Sequence, residues 1–491
     1  AALAEAYIDG ARNAGAEVDS LLLADLDFDL HVIAPSPRTQ RFEPDLENAR
    51  AAIERAQHIV FVFPTWWATM PALLKGFLDR ILLPDFAFRE DEDAPTGYRP
   101  LLTGRTAELV TTMDTPGFVY RWIYGRPGDR AMKGGILGFC GFSSIRSTWV
   151  CRVKKLTEDD RQEQIERVRR KGSEAPQRWR KHLRKQRFIA WLRIARLQFY
   201  AMTLLAYGLG AIAVVRLDGL PFSLPVFLLG FATLFLLEFG SVLQNEFHDQ
   251  KTDRENENSG PFTGGSRILV EGRLDPATVK LASWFVLGLS GILLVILSLL
   301  RSSAGEGLAL PALLFLIFGY LLGPGYTAPP LKLIYRGLGE LVVAFTHGPF
   351  MLLAGWLVLG GSLTDSLPWL LSLPMFLSVF AAITLAGLPD VEADTTADKK
   401  TLAVRFTNRK AARIAQGSAV ASVLVLPLLG PAVWEAFDQV AVLVGLHAAT
   451  LVVLLERYRS SGAGCHRIDG ILFAALSYIL WFSIPPIATL W

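Results

Sequence analysis

Apolar positions follow two different rhythms along this chain, and the change comes near residue 188. In the first stretch, helical spacing alternates with short continuous apolar runs. Ala1–Ala14, Asp45–Ala56 and Pro71–Ile81 predict helices, while Val18–Leu23, His58–Phe63 and Arg105–Thr112 predict strands. Such alternation predicts an α/β fold, a doubly wound parallel sheet covered by helices. Beyond residue 188, apolar stretches run around 197–215, 224–244, 278–300, 308–324, 338–360, 367–388, 411–430, 437–456 and 470–490. Each is near the twenty residues that a helix needs to cross a bilayer. The prediction is an all-α polytopic membrane bundle of about nine transmembrane helices, kinked at Pro349, Pro374 and Pro485–Pro486.

At 491 residues the chain is too long for one ordinary core. We divide it into an α/β domain (1–157), a basic linker (158–188) and a membrane domain (189–491). The linker holds Arg178-Trp-Arg-Lys-His-Leu-Arg-Lys-Gln-Arg187 after a Gly172–Pro176 interruption. It reads as an amphipathic helix on anionic headgroups or as a solvated connector. Apolar residues make up 51% of the chain and charged ones 19%, in keeping with the long apolar stretches, and beside nine such spans nucleic-acid binding is not expected. Three cysteines (Cys140, Cys151, Cys465) form no paired framework, so a reducing compartment is expected for the first domain. Basic residues cluster after alternate spans, including Lys251, Arg254, Arg267 and Arg273, then Lys399 to Arg413, then Arg457, Arg459 and Arg467. The opposite loops offer only Arg216 and Arg301. The positive-inside rule therefore predicts an integral membrane protein with these loops and the first domain on the cytoplasmic side.

Two acidic ladders abut those apolar spans. Asn245, Asp249 and Asp253 recur every fourth residue, as do Asp390, Asp394 and Asp398. On a helix that spacing keeps the carboxylates on one face, where they repel unless something positive lies along them. Mg²⁺ suits, because it binds one or two carboxylates together with substrate phosphate oxygens. Lys332, Arg336 and Arg267 are candidate cationic contacts to a diphosphate, and Tyr326 a candidate hydrogen-bond or π partner. Glu238, Glu340 and His347 are rare ionisable residues at membrane depth, any of which could take an aromatic proton.

These ladders, the loop Gly325-Tyr326-Thr-Ala-Pro-Pro-Leu-Lys332 and the run Lys400-Thr-Leu-Ala-Val-Arg405 resemble the UbiA superfamily of intramembrane aromatic prenyltransferases. The resemblance covers about 190–491. It implies Mg²⁺ held by Asp249, Asp253, Asp390 and Asp394, with Asn245 orienting a prenyl diphosphate. Members often carry Gly where this chain has Asp398.

In the first domain, Phe63-Pro64-Thr65-Trp66-Trp67 and Thr111-Thr112-Met113-Asp114-Thr-Pro-Gly117-Phe-Val-Tyr120 would leave the carboxyl ends of strands, where such folds bind ligands. With Phe139-Cys140-Gly141-Phe142 they resemble flavodoxin-like NAD(P)H:quinone reductases over about 1–155. The resemblance implies a flavin, FAD or FMN, bracketed by the two loops, NAD(P)H as reductant, and a possible homodimer through this domain. Its first strand and phosphate loop would precede Ala1, so a segment before Ala1 is expected. Trp66 and Trp67 also fit a hydrophobic lid. The combined expectation is a bifunctional enzyme that reduces a naphthoquinone-like quinone and prenylates the hydroquinone, as in menaquinone-type biosynthesis. Two alternatives stand beside it: a membrane-anchored quinone reductase without prenyl transfer, and a prenyltransferase of a phenol with a non-catalytic docking module.

Overall fold

Strands built from Ile, Val and Phe need cover on both faces, and the first part of the chain supplies it. The computed structural model describes every residue except 33, 37–38, 92–96, 257, 259, 261, 304–306, 436, 463–467 and 491, so Cys465 and Arg467 lie outside the described residues. It divides into two compact units, Ala1–Gln186 and Arg187–Trp491.

In the first unit, β1 (His58–Pro64) pairs in parallel with β4 (Thr106–Met113), and β4 with β5 (Ser143–Cys151). A small antiparallel pair, β2 (Phe88–Glu90) and β3 (Tyr98–Pro100), lies apart from that sheet. The helices are α1 (Ala2–Asn13), α2 (Pro44–Arg55), α3 (Ala72–Ile81), the single turn α4 (Pro127–Arg130) and the long α5 (Glu158–Ile194). Leu46, Ala49, Leu74, Phe77 and Leu78 of α2 and α3 pack with Ala107 and Leu109 of β4. Tyr7, Val168 and Ala175 of α1 and α5 pack with Val110.

Two expectations are corrected here. Val18–Leu23 forms no strand: Leu21 and Leu22 stay exposed, and a lone strand has no ladder to satisfy its backbone. Gly172–Pro176 does not interrupt α5. Gly172 instead lets α5 cross α1 at backbone contact, since a Cβ there would overlap the Tyr7 carbonyl, as one on Gly10 would overlap that of Arg169. The N-terminal part of α5 is thus a covering helix of the sheet.

A polar network ties α5 to that sheet. Arg178 donates to Glu108 Oε2 at 2.9 Å, and Thr148 donates to Glu108 Oε1 at 3.0 Å. Tyr7 Oη lies 3.0 Å from His58 Nε2, and His58 Nδ1 lies 2.8 Å from Thr106 Oγ1. Burial, with Arg178 nearby, pushes His58 down to about 4, so its ring is neutral at pH 7.

The second unit opens with α6 (Tyr200–Leu217) and α7 (Leu224–His248), then the short α8 (Gln250–Glu255). There follow α9 (Pro276–Ser303), α10 (Leu310–Gly325), α11 (Gly339–Phe345), α12 (Met351–Val358) and α13 (Ser366–Ala386). The short α14 (Val391–Thr396) and α15 (Leu402–Phe406) precede α16 (Asn408–Leu424), α17 (Pro431–Trp434), α18 (Ala441–Ser460), α19 (Asp469–Ile479) and α20 (Ile484–Leu490). Close packing of α6 on α12 depends on facing glycines, because a Cβ on Gly210 or Gly355 would overlap the other helix's backbone.

Among the described residues, seven helices are long and apolar enough to cross a membrane, against the nine segments expected. At 16 residues α10 falls short, and α16 begins with Arg409, Lys410 and Arg413, which dilute its hydropathy. Pro349 sits in a wide π-type turn over Thr346–Phe350, whereas α13 runs through Pro374 unbroken.

Removing Glu108 strands the half-buried Arg178 and the Thr148 hydroxyl. Glu108→Ala is expected to lower the stability of the first unit by about 3 kcal/mol. A fall in its urea midpoint in the full-length protein checks this; an unchanged midpoint would mean the network is not holding α5.

Candidate functional site

The apolar stretch of α7 ends in Gln244-Asn245-Glu246, where side chains at every fourth position turn inward. The helix stops at Asp249, but the i→i−4 bonds carry on across the joint: Asp249 N–H donates to Asn245 O at 2.9 Å, and Asp253 N–H to Asp249 O at 2.8 Å. Asp390 and Asp394 are linked the same way at 2.8 Å. The spacing thus survives although neither ladder is one unbroken helix, since α7 ends at His248 and Asp390 caps α14.

The two ladders meet at Lys399. Its ammonium lies 3.0 Å from Asp249 Oδ2 and 3.7 Å from Asp394 Oδ1, with all three side chains less than a tenth exposed. Asn256 donates to Asp390 Oδ1 at 2.8 Å. Asp253 is also buried, and Gly265 lies so close that a Cβ there would overlap its carboxylate.

Burial drives the electrostatics here. It pushes Asp253 up to about 8, with Glu246 and Asp249 adding to the effect. Burial also pushes Asp394 up to about 7, with Lys399 pulling down and Asp390 and Asp249 pushing up. For Lys399 burial works the other way, yet Asp249 and Asp394 carry it above the ordinary lysine range. The carboxylates are short of positive charge.

A hard divalent cation fits this donor set. Asp249 Oδ1 and Asn245 Oδ1 are buried without a hydrogen-bond partner, and both are oxygen donors of the kind Mg²⁺ takes. Among the described residues, no three His, Cys, Asp or Glu side chains already converge as ligands. Lys399 stands between the ladders instead.

Below the ladders lies a mainly apolar cavity of about 290 Å³. Asn245 and Tyr326 are in its wall, together with Arg196, Glu238 and His347. Lys332 is exposed, its ammonium 5.3 Å from the Tyr335 ring centroid, and is not in that wall. Arg336 donates to Pro330 O, and Arg267 to the carbonyls of Asp253 and Asn256, so Arg267 braces the loop after α8. Asp398 is exposed at φ 59°, a conformation that glycine takes without strain. Glu340 accepts from Leu402 N–H at 2.6 Å, bracing the start of α15.

Sequence reasoning missed Lys399, Asn256 and Arg196 as site residues. Lys399 was hidden in a basic run that also sets topology. Arg196, the last basic residue before the apolar stretch 197–215, is a signal that could have been read.

In the first unit both expected loops leave the same end of the sheet, because Pro64 pairs with Thr112 at the carboxyl ends of β1 and β4. Thr65 N–H donates to Thr112 O at 2.7 Å. Trp66 and Thr69 bond each other in both directions at 2.9 Å, closing a tight turn with positive φ at Trp67 and Ala68. That turn leaves Trp67 99% exposed, a flat aromatic surface beside the strand ends. Met113 is buried, and Gly117 packs near Cys151. Asp114 accepts from Lys154 N–H at 2.9 Å, and that bond with the Lys154 ammonium holds its carboxyl below the usual range. Tyr120 is buried edge-on against Trp149, so of the named loop residues it faces the core.

Residues 199–464 match the model of the UbiA prenyltransferase family, and residues 1–174 that of the flavodoxin-like fold. The chain belongs to the UbiA prenyltransferase family. NAD(P)H dehydrogenase (quinone) 1 of Rattus norvegicus is 30% identical over 131 residues, spanning 26% of this chain and 46% of that protein. UbiA prenyltransferase domain-containing protein 1 of Dictyostelium discoideum is 34% identical over 89 residues, 18% of this chain and 27% of that protein. The chain therefore spans less than half the length of either relative. Among solved structures, a UbiA homolog from Archaeoglobus fulgidus bound to DMAPP and Mg²⁺ aligns with 61% of this chain and 98% of its own, at 16% identity and a TM-score of 0.43. This UbiA-family chain thus joins a flavodoxin-like unit to a helical membrane unit.

If Lys399 neutralises the ladders in the metal-free protein, Lys399→Met leaves Asp249 and Asp394 as uncompensated buried carboxylates, at a cost of about 3–5 kcal/mol. The expected result is a lower melting temperature in chelator, and a larger recovery with Mg²⁺ than the wild type shows. Equal melting curves in chelator would contradict it.

Proposed function

We propose that this chain is a bifunctional prenylquinone-forming enzyme. Its flavodoxin-like unit reduces a quinone with NAD(P)H, and its membrane unit joins a prenyl group to the resulting hydroquinone. One observation carries the reading: two aspartate ladders converge on a single cation position above an apolar cavity whose wall includes Asn245 and Tyr326.

Asp249, Asp253, Asp390 and Asp394 would hold Mg²⁺, which when bound neutralises the departing diphosphate. Asn245 would orient that diphosphate through its amide. The apolar cavity takes the isoprenoid chain and excludes water from the allylic cation. The ring carbon of the hydroquinone bonds to the allylic carbon, the C–O bond to diphosphate breaks, and the ring loses a proton. Only an electron-rich ring is a competent nucleophile here, and a quinone is electron-poor. A hydride from NAD(P)H, carrying two electrons and one proton, and one further proton convert quinone to hydroquinone; a bound flavin would supply the two-electron relay. Pro64, Thr65, Trp66 and Trp67 with Thr112, Met113, Asp114 and Gly117 would bracket its ring at the strand ends.

Placing both activities on one chain raises the local concentration of the reduced acceptor at the membrane. A naphthoquinone would suit, giving a menaquinone-like lipid. The basic loops favour a cytoplasmic position for the ladders and the first unit.

Full-length protein in nanodiscs is expected to prenylate a supplied naphthoquinone with geranyl diphosphate and Mg²⁺ only when NAD(P)H is present. Chemically reduced naphthoquinol should remove that requirement. Asp249→Asn should lower transfer about 100-fold or more in both settings, roughly 3 kcal/mol of lost charge stabilisation. Equal product from the quinone with and without NAD(P)H would contradict the coupling, and full activity of Asp249→Asn would contradict the metal site.

A further inference from the structure

Of the three membrane-depth ionisable residues left open by the sequence, the structure brings two together. Glu238 of α7 and His347 of the π-type turn both lie in the cavity wall, with His347 Nε2 3.5 Å from Glu238 Oε1. Thr203 of α6 donates to the other carboxylate oxygen, Oε2, at 2.8 Å. The Glu238 side chain is 8% exposed, so this carboxyl is a costly thing to keep in an apolar setting. Glu340, the third of them, is spent on the Leu402 backbone.

His347 Nδ1 lies 3.2 Å from the Val343 carbonyl oxygen and 3.1 Å from Thr346 Oγ1, contacts that hold the ring with Nε2 turned toward Glu238. A carboxylate oxygen and an unprotonated imidazole nitrogen are both proton acceptors.

Position matches a task. Glu238 precedes Asn245 by seven residues, nearly two helical turns, so both project from one face of α7, about 10 Å apart along its axis. The cavity wall therefore offers the Asn245 amide at one level and, nearly two helical turns along α7, the carboxyl–imidazole pair. Tyr200, in the same wall, has a buried hydroxyl with no hydrogen-bond partner. The wide turn at Thr346–Phe350, where Pro349 supplies no N–H, is the kind of helix irregularity that functional sites often use.

We propose that Glu238 and His347 bind a ring hydroxyl of the aromatic acceptor and take its proton. This rests on the reading of the membrane unit as a prenyltransferase. As the hydroxyl proton passes to the pair, the oxygen's electrons feed the ring and the ring carbon bonds to the allylic carbon. The allylic C–O bond breaks, and diphosphate leaves with that bond's electron pair. The ring carbon then loses its hydrogen and the oxygen regains one, so the net change is one prenyl group gained and one proton released through the pair. The ligand class is a phenol or hydroquinone. Tyr200 offers a further hydrogen bond to an acceptor oxygen.

The test uses full-length protein in nanodiscs with geranyl diphosphate, Mg²⁺ and 1,4-dihydroxynaphthalene kept reduced by dithionite, which bypasses the first unit. For Glu238→Gln, turnover with respect to the acceptor should fall 10²–10⁴-fold, the usual reach of a positioned acid–base group. The KM for geranyl diphosphate should stay within about twofold, since that end of the cavity is untouched. His347→Gln should follow in the same direction. Thr203→Val removes only the bond to Oε2 and should cost about tenfold, the scale of one hydrogen bond to a charged group. A more acidic naphthol should narrow the gap between Glu238→Gln and wild type. Unchanged acceptor kinetics in all three variants would overturn the proposal, and so would an equal loss toward both substrates with a lowered melting temperature, the mark of a merely structural pair. Should the wild type itself form no product from the reduced acceptor, the prenyltransferase reading falls, and the assignment of this pair falls with it.

Discussion

Buried negative charge at the ends of apolar helices is the constraint around which the membrane unit is organised. Asp249 and Asp394 come from opposite ladders, and neither can stay ionised away from water without a cation between them. Lys399 supplies that charge in the structure described here, which draws the ends of α7 and α14 together. The same arrangement explains the irregular backbone nearby. Helix α7 stops at Asp249, Gly265 makes room for the Asp253 carboxylate, and Arg267 ties down the loop that follows.

Polarity then falls away along α7 in one direction. From the charged mouth the wall passes through Asn245 to a mainly apolar chamber, interrupted by Arg196, the Glu238–His347 pair and a few hydroxyls. A substrate with a doubly charged head, a hydrocarbon tail and an aromatic partner matches that gradient. The first unit solves a separate problem with a different rule: parallel strands place two loops at one sheet edge, and the turn through Trp67 and Ala68 holds an aromatic surface there.

Much of this was legible in the residues. The aspartate ladders declare themselves because fourth-residue spacing survives a helix break, as the bonds from Asp253 to Asp249 and from Asp394 to Asp390 show. The helices over 2–13, 44–55 and 72–81 and the strands over 58–64 and 106–113 follow the expected rhythm closely. Strand β5 was not read, since Ser143-Ser-Ile-Arg-Ser-Thr mixes polar residues into a strand with only Thr148 and Val150 fully buried. Val18–Leu23 looked like a strand locally, but pairing is a long-range property. Lys399 was invisible as a site residue because a lysine beside Lys400 satisfies the topology rule equally well. Choosing Glu238 over Glu340 needed the tertiary contacts of Leu402 and His347, which no local pattern encodes.

Metal binding itself is the most direct check on the ladders. Mn²⁺ in place of Mg²⁺ can be followed by electron paramagnetic resonance in the full-length protein, with and without geranyl diphosphate. The account predicts a bound-metal signal that strengthens when the diphosphate is added and disappears in the Asp249→Asn, Asp394→Asn double variant. Mn²⁺ affinity in that variant equal to the wild type's, with or without diphosphate, would contradict it.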